Sequence, residues 1–179
     1  MQRVVFLDRD GTINIDRGYI SHVEEFEFAP GAVEAIRRLR ERGFRLAVVT
    51  NQSGVGRGYY TIDDVERIHQ HMHELLEQDH TGVDAVAYCP HAPEDECACR
   101  KPRGGMARIV ETQLDEPIDF AASWMVGDKP ADVGFGQTIG VRTVLLESRY
   151  WKPEDVEVSP TWFAPSLEVA ARIILEESS

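Results

Sequence analysis

Four short stretches of this 179-residue chain gather residues whose types suit chemistry. "FLDRDGT" carries Asp8 and Asp10, "VVTNQSG" carries Thr50, Asn51, Gln52 and Ser53, "CRKP" carries Arg100 and Lys101, and "GDKPAD" carries Asp128, Lys129 and Asp132. Carboxylates from separate segments suit a hard divalent cation with oxygen ligands, and magnesium is the usual one beside phosphate. A lysine and a threonine hydroxyl suit the equatorial oxygens of a phosphoryl group. A carboxylate beside that group can attack phosphorus, forming an aspartyl-phosphate and dividing the displacement into two steps. Asp8 and Asp10 are two apart, so an extended strand would point both to one side. One could then attack while the other handles the leaving-group proton.

All three cysteines fall within one window, "CPHAPEDECAC" (89–99), directly before Arg100 and Lys101. Cys89, His91, Cys97 and Cys99 provide the ligand set of a closed tetrahedral zinc site. A disulfide would strand one thiol and needs an oxidising compartment; a cysteine nucleophile has no obvious positioned base. With four ligands and no open position the zinc would be structural. It would fold "APEDE", which is too polar to pack itself, and aim Arg100 and Lys101 at the phosphate.

The elements that must hold these groups alternate in type. Short apolar runs at 4–8, 44–51, 84–89, 122–128 and 141–146 read as strands, and their continuous rather than alternating hydrophobicity fits burial on both faces. Between them, 30–43, 61–78, 104–114 and 130–140 read as helices, with Thr61 as a cap candidate and Val65, Ile68, Met72, Leu75 and Leu76 along one face. A less regular tail, holding Trp151 and Trp162, precedes a closing helix near 165–177. The alternation predicts a three-layer, Rossmann-like α/β fold: one parallel sheet with helices on both faces, in a single domain over residues 1–179. In such a sheet the ligand crevice lies beyond the carboxyl ends of the strands, which is where the chemistry-bearing stretches fall.

Net charge of −12 argues against a nucleic-acid or anionic-membrane partner. No secretory pattern opens the chain, and no apolar stretch approaches the roughly 20 residues that cross a bilayer. A cytoplasmic monomer is the expectation. Three side features read as structural: His69 and His73 as a solvated helix face, Trp124 as core packing, and Arg57 as an exposed loop cation.

The four stretches, in order, resemble the motifs of the haloacid dehalogenase (HAD) superfamily of phosphatases, over residues 4 to about 146. That resemblance makes Asp8 the nucleophile and Asp10 the general acid and base. It gives Thr50 and Lys101 the phosphoryl oxygens, and Mg²⁺ to Asp8, Asp128 and the backbone carbonyl of Asp10, with Asp132 supporting from behind. Only 41 residues separate Asp8 from Thr50, and 50 separate Thr50 from Lys101. Neither interval has room for a large cap domain, so the pocket should be open and bordered by loops.

Among zinc-bearing capless members, "DGTINIDRGYISHVEEFEFAPG", "TNQSGVGRG" and "CRKPRGGM" are similar to the D-glycero-D-manno-heptose-1,7-bisphosphate 7-phosphatases. The histidinol-phosphate phosphatases share the four motifs, and their zinc loop typically has the five-residue spacing between histidine and cysteine found here. The heptose resemblance implies that Asp16, Arg17, Gly18, Tyr19 and Thr50 to Ser53 contact sugar and phosphate. It also implies that Arg100 selects the substrate and that Lys129 sits at the metal-side phosphate. A planar arginine fork suits a second, non-reacting phosphate.

Overall fold

The computed structural model describes residues 1–152, 157 and 159–178. Six parallel strands form one sheet: β1 (Val4–Leu7), β2 (Arg45–Asn51), β3 (Ala85–Cys89), β4 (Trp124–Gly127), β5 (Arg142–Leu146) and β6 (Trp162–Ala164). Their order across the sheet is β3-β2-β1-β4-β5-β6. The chain winds outward from β1 in one direction and, after β4, in the other. The switch between β1 and β4 opens a crevice at their carboxyl ends.

Period-two burial divides the sheet's side chains between two cores. Val5, Leu7, Leu46, Val48, Val126 and Val144 face one layer of helices, formed by α1 (Ala32–Glu41), α3 (Ile62–Gln78) and α6 (Leu167–Glu177). Val4, Phe6, Ala47, Val49 and Met125 face the other, formed by α4 (Gly105–Leu114) and α5 (Pro130–Ile139). The Thr61 hydroxyl accepts from the Asp64 backbone N–H at 3.2 Å and starts α3 as a cap. Between β1 and β2 the only α-helix among the described residues is α1. Between β2 and β3 there are only α2 (Ser53–Gly56) and α3. No large cap domain stands over the crevice in either interval.

Two elements depart from the sequence reading. The irregular tail contains β6, which pairs in parallel with β5; three residues are too few to show a hydrophobic period. The segment after β2 turns at once into the single turn of α2. Trp124 is fully buried, as core packing requires. Trp151 lies in the tail, and its indole N–H donates to the carbonyls of Asp128 and Leu146, both at 3.1 Å. It thereby ties the tail to the carboxyl ends of β4 and β5. At the opposite edge, β3 has no strand beyond it among the described residues. There the Gln113 side chain donates to the Val86 carbonyl and accepts from the Val86 N–H, each at 2.9 Å.

Candidate active site and metal centre

The carboxyl ends of β1, β2 and β4 deliver their groups to one cavity of about 370 Å³. Asp8, Asp10, Asp16, Gly18, Tyr19, Thr50, Asn51, Gln52, Ser53, Arg100, Lys101 and Lys129 all line it, with Asp132, Tyr60 and Tyr150 beside them. Arg17 does not. Its guanidinium pairs with Glu27 at the surface, because a near carboxylate captures an exposed arginine more readily than an empty pocket does.

Lys101 organises the centre. Its ammonium, almost fully buried, donates to Asp8 Oδ1 (2.8 Å), Asp132 Oδ1 (2.6 Å) and the Val49 carbonyl (2.7 Å), using all three of its protons. Burial opposes the charge on Lys101, but Asp132 and Asp8 outweigh it and hold the ammonium above its ordinary range. Burial likewise opposes the Asp8 carboxylate, and the charges of Lys101 and Lys129 prevail there too, holding Asp8 below its ordinary value. Asp8 is thus an ionised, desolvated carboxylate at the bottom of the cavity.

The loop that carries Lys101 is clamped to the end of β2. Asn51 Nδ2 donates to the Lys101 carbonyl (3.2 Å), and the Lys101 N–H donates to Asn51 Oδ1 (3.0 Å). Asp132, in the first turn of α5, accepts from Lys101 with one oxygen and from the Lys129 N–H (2.9 Å) with the other. It therefore supports the lysine from behind and caps its own helix.

Asp10 does not continue the strand beyond Asp8. The chain turns, with the Arg9 carbonyl accepting from the N–H groups of Thr12, Ile13 and Asn14. The extended-strand reading of the Asp8–Asp10 pair is replaced by this turn. The Asp10 carboxylate is then gripped by Arg9, by Asn14 Nδ2 (3.0 Å) and by Gln52 Nε2 (2.9 Å). The Tyr60 hydroxyl in turn donates to Gln52 Oε1 at 2.7 Å. Gly11 permits the turn: its φ is +86°, and a Cβ there would collide with the Asp128 carboxylate.

Carboxylate oxygens of Asp8, Asp128 and Asp132 lie within 4.8 Å of one another. The Lys129 ammonium is drawn to the same place, 3.0 Å from Asp128 Oδ1, 3.4 Å from the Asp10 carbonyl and 4.0 Å from Asp8 Oδ2. The Asp8, Asp10 and Asp128 oxygens anticipated for Mg²⁺ therefore already converge on positive charge, and all are hard donors. Burial and the Asp8 charge push the Asp128 carboxyl up to about 7, with Lys129 opposing and Asp132 assisting. The metal-free fold consequently keeps a proton that the unfolded chain releases, and this group's contribution to stability falls as pH rises from about 4 to about 7. A divalent cation that displaces the proton binds better at higher pH. The rise in Tm produced by Mg²⁺ should be larger at pH 8 than at pH 6. Equal rises in a thermal-shift titration would contradict a proton–metal exchange at Asp128.

The second cluster sits where β3 ends. The sulfur atoms of Cys89, Cys97 and Cys99 lie 3.1, 3.4 and 3.5 Å apart, and His91 Nδ1 lies 3.6 Å from Cys89 Sγ and 3.3 Å from Cys99 Sγ. Sulfur ligands at about 2.3 Å from a tetrahedral zinc stand roughly 3.8 Å apart, so the set matches a closed site after slight expansion. None of the three thiols is in a disulfide. Cys97 O accepts from Arg103 (2.7 Å) and Ala98 O from the Gly105 N–H (3.2 Å), which joins the knot to the start of α4. Arg100 Nη1 lies 3.4 Å from the His91 carbonyl.

His69 overturns its reading as a solvated helix residue. It is 4 % exposed, on the buried face of α3, and its Nε2 lies 3.2 Å from Nη1 of the fully buried Arg9. Neither member of this pair was anticipated as part of the site. His69 is four residues from Val65 and three from Met72, so its place in the apolar stripe was the available signal.

Residues 98–170 match the HAD-hydrolase-like family model. A D-glycero-beta-D-manno-heptose-1,7-bisphosphate 7-phosphatase of Helicobacter pylori strain J99 is 42% identical over 145 residues, 80% of this chain and 82% of that one. This chain belongs to the heptose-bisphosphate phosphatase family of HAD-like hydrolases. The Escherichia coli K12 phosphatase of the same name is 39% identical over 172 residues, covering 91% of this chain and 88% of that one. A crystal structure of D,D-heptose 1,7-bisphosphate phosphatase from B. bronchiseptica, complexed with magnesium and phosphate, superposes with a TM-score of 0.86. It is 32% identical and covers 98% of this chain and 99% of that one. As a HAD-like hydrolase the chain is a phosphoric monoester hydrolase, and its six-stranded parallel sheet between two helical layers is the fold of that neighbour.

Proposed function

We propose that this phosphatase removes the C7 phosphate of D-glycero-beta-D-manno-heptose 1,7-bisphosphate, leaving heptose 1-phosphate for nucleotide-heptose and cell-surface polysaccharide synthesis. The observation that carries the substrate is identity near 40% over four-fifths or more of the chain with relatives named for that reaction and that anomer. Asp8 Oδ attacks phosphorus, and Asp10 gives its proton to the departing C7 oxygen. Asp10 then takes a proton from water as the water oxygen attacks the aspartyl-phosphate, releasing inorganic phosphate and restoring Asp8. Thr50 binds a phosphoryl oxygen, and Lys101 binds another by exchanging its hydrogen bond to Asp8 for one to the phosphoryl group. Asp8, Asp128 and the Asp10 carbonyl would hold Mg²⁺, which when bound offsets the charge of the phosphoryl group.

Sugar contacts fall to Asp16, Gly18, Tyr19, Asn51, Gln52 and Ser53 at the mouth of the cavity, and Arg100 meets the second phosphate with a planar fork. Lys129 answers the charge on the metal side. Cys89, His91, Cys97 and Cys99 hold a structural Zn²⁺ that keeps Arg100 and Lys101 in place. The enzyme is assigned as one domain, acting as a monomer on a small sugar phosphate in the cytoplasm, with neither nucleic acid nor membrane as partner. Among the described residues no helix is long and apolar enough to cross a membrane.

Phosphate release with Mg²⁺ tests the substrate. kcat/KM on the beta heptose bisphosphate should exceed that on the alpha anomer and on histidinol phosphate, the latter by about 100-fold or more. The reverse preference would move the enzyme to histidinol phosphate and leave the catalytic roles standing.

A further inference from the structure

A buried charge is costly to keep in a core, and Arg9, which lines no part of the cavity itself, is such a charge. It lies between Asp8 and Asp10 with no exposed surface. Its fork is divided. Nη2 donates to Asp10 Oδ2 at 2.9 Å and Oδ1 at 3.1 Å, Nε approaches Oδ1 at 3.3 Å, and Nη1 points the other way to His69 Nε2 at 3.2 Å. A guanidinium can only donate, so Nε2 must be the accepting nitrogen and the imidazole proton must lie on Nδ1. Burial and the Arg9 charge push His69 down to about 3, so the ring remains a neutral acceptor at any working pH. Arg9 is therefore held at both ends, by the carboxylate it grips and by a ring fixed in the apolar face of α3, where His69 also packs near Tyr88 with ring centroids 5.5 Å apart. Asn14 and Gln52 each donate one hydrogen bond to Asp10, one to each oxygen.

We propose that His69 is a positioning residue for phosphoryl transfer, which through Arg9 fixes the orientation in which the Asp10 carboxylate exchanges its proton with the leaving oxygen. The inference rests on the proton-carrying role given to Asp10 above. Without the acceptor on α3, Nη1 is a buried, unpaired donor, the fork turns to satisfy it, and the carboxylate turns with the fork. The hydrogen bonds that hold Lys101 do not pass through Arg9.

Leaving-group dependence separates this role from simple packing. kcat/KM reports all steps through departure of the leaving group, and a nitrophenolate departs without a proton whereas a phenolate benefits from one. His69→Phe keeps the ring but has no acceptor; His69→Asn keeps an acceptor that is too short to reach Arg9; Gln places Oε1 near the position of Nε2. Phe and Asn should each lower kcat/KM on phenyl phosphate by about tenfold while changing p-nitrophenyl phosphate by about threefold or less. His69→Gln should stay within about twofold of the wild type on both esters. Asp10→Asn is the control and should discriminate between the esters more strongly than any of these. If Asp10→Asn discriminates and His69→Phe and His69→Asn do not, or if Gln fares as badly as they do, the positioning role is wrong and the Asp10 role stands. If Asp10→Asn falls equally on both esters, the Asp10 role fails and this inference with it. Should the Phe variant not fold, the Asn and Gln pair gives the same comparison.

Discussion

Asp8→Asn is expected to lower kcat by about 10⁴-fold or more, on any phosphate ester, while leaving the protein folded. The first half follows from the lost nucleophile. An amide oxygen cannot form the acyl phosphate, and neither Asp128 nor Asp132 is free to take over, since Lys129 engages the one and Lys101 the other. The second half follows from the local charge. Asp8, Asp128 and Asp132 crowd within one small volume, and burial, with the Asp8 charge adding to it, holds Asp128 and Asp132 above the ordinary carboxylate range. Removing the Asp8 charge relieves that contribution, and Lys101 keeps Asp132 as a partner. Set against that relief is the lost charge pairing of Asp8 with Lys101, although the Asn oxygen still accepts from the ammonium, so the metal-free Asp8→Asn protein should melt within about 5 °C of the wild type. Turnover near wild type would refute the covalent route. A large fall in Tm would refute the charge argument alone.

Loss of the zinc proposed for the Cys89–Cys99 knot should act in the opposite way, on stability and activity together. Cys97→Ser leaves residues 89–99 with a polar loop and two thiols, and a chelator strong enough to strip the ion leaves the same loop with three unligated thiols. Without metal, burial pushes the Cys89 thiol up, while hydrogen bonds from the Cys89 thiol and the Arg100 N–H, opposing burial, bring Cys97 down to about 7. The thiols cannot all ionise unless a cation is there to hold them, so zinc binding releases protons and weakens as pH falls. A loss of about 3 kcal/mol, modest for a structural zinc site, would lower Tm by about 6–12 °C in a chain of this size. Activity should fall by about tenfold or more, because Lys101 would keep its Asn51 clamp on one side and lose the knot on the other. Calorimetry and phosphate release on the same samples provide the check. Activity lost with Tm unchanged would mean that the metal takes part in the reaction instead.

Much of this architecture was readable from residue types alone, for physical reasons that also mark where reading stops. The five longer strands announce themselves because a strand covered on both faces must be apolar at nearly every position, as "VVFL" and "LAVV" are. Asp8, Asp128 and Asp132 are visible because each follows such a run or opens the next helix. What is not visible is partnership across the chain. Arg9 reads as a spacer between two aspartates, and only the fold shows that a histidine 60 positions later completes its hydrogen bonds. Arg17 fails for the converse reason: it lies in the right loop, but Glu27 is closer than the cavity. β6 is hidden because its identity comes from β5, against which it lies, and not from a pattern of its own.

The Gln113 side chain at the edge of β3 bears on the fate of the protein in a crowded solution. Its carboxamide has the donor and acceptor of a peptide group and presents them to Val86 as a neighbouring strand would. An unprotected edge is a template on which another chain can add itself, the first step toward disordered association. Here one rung of the ladder is already taken by a side chain, carried by α4, a helix that packs on the face of the same sheet. The cover is part of the same polypeptide, so it is in place whenever α4 is.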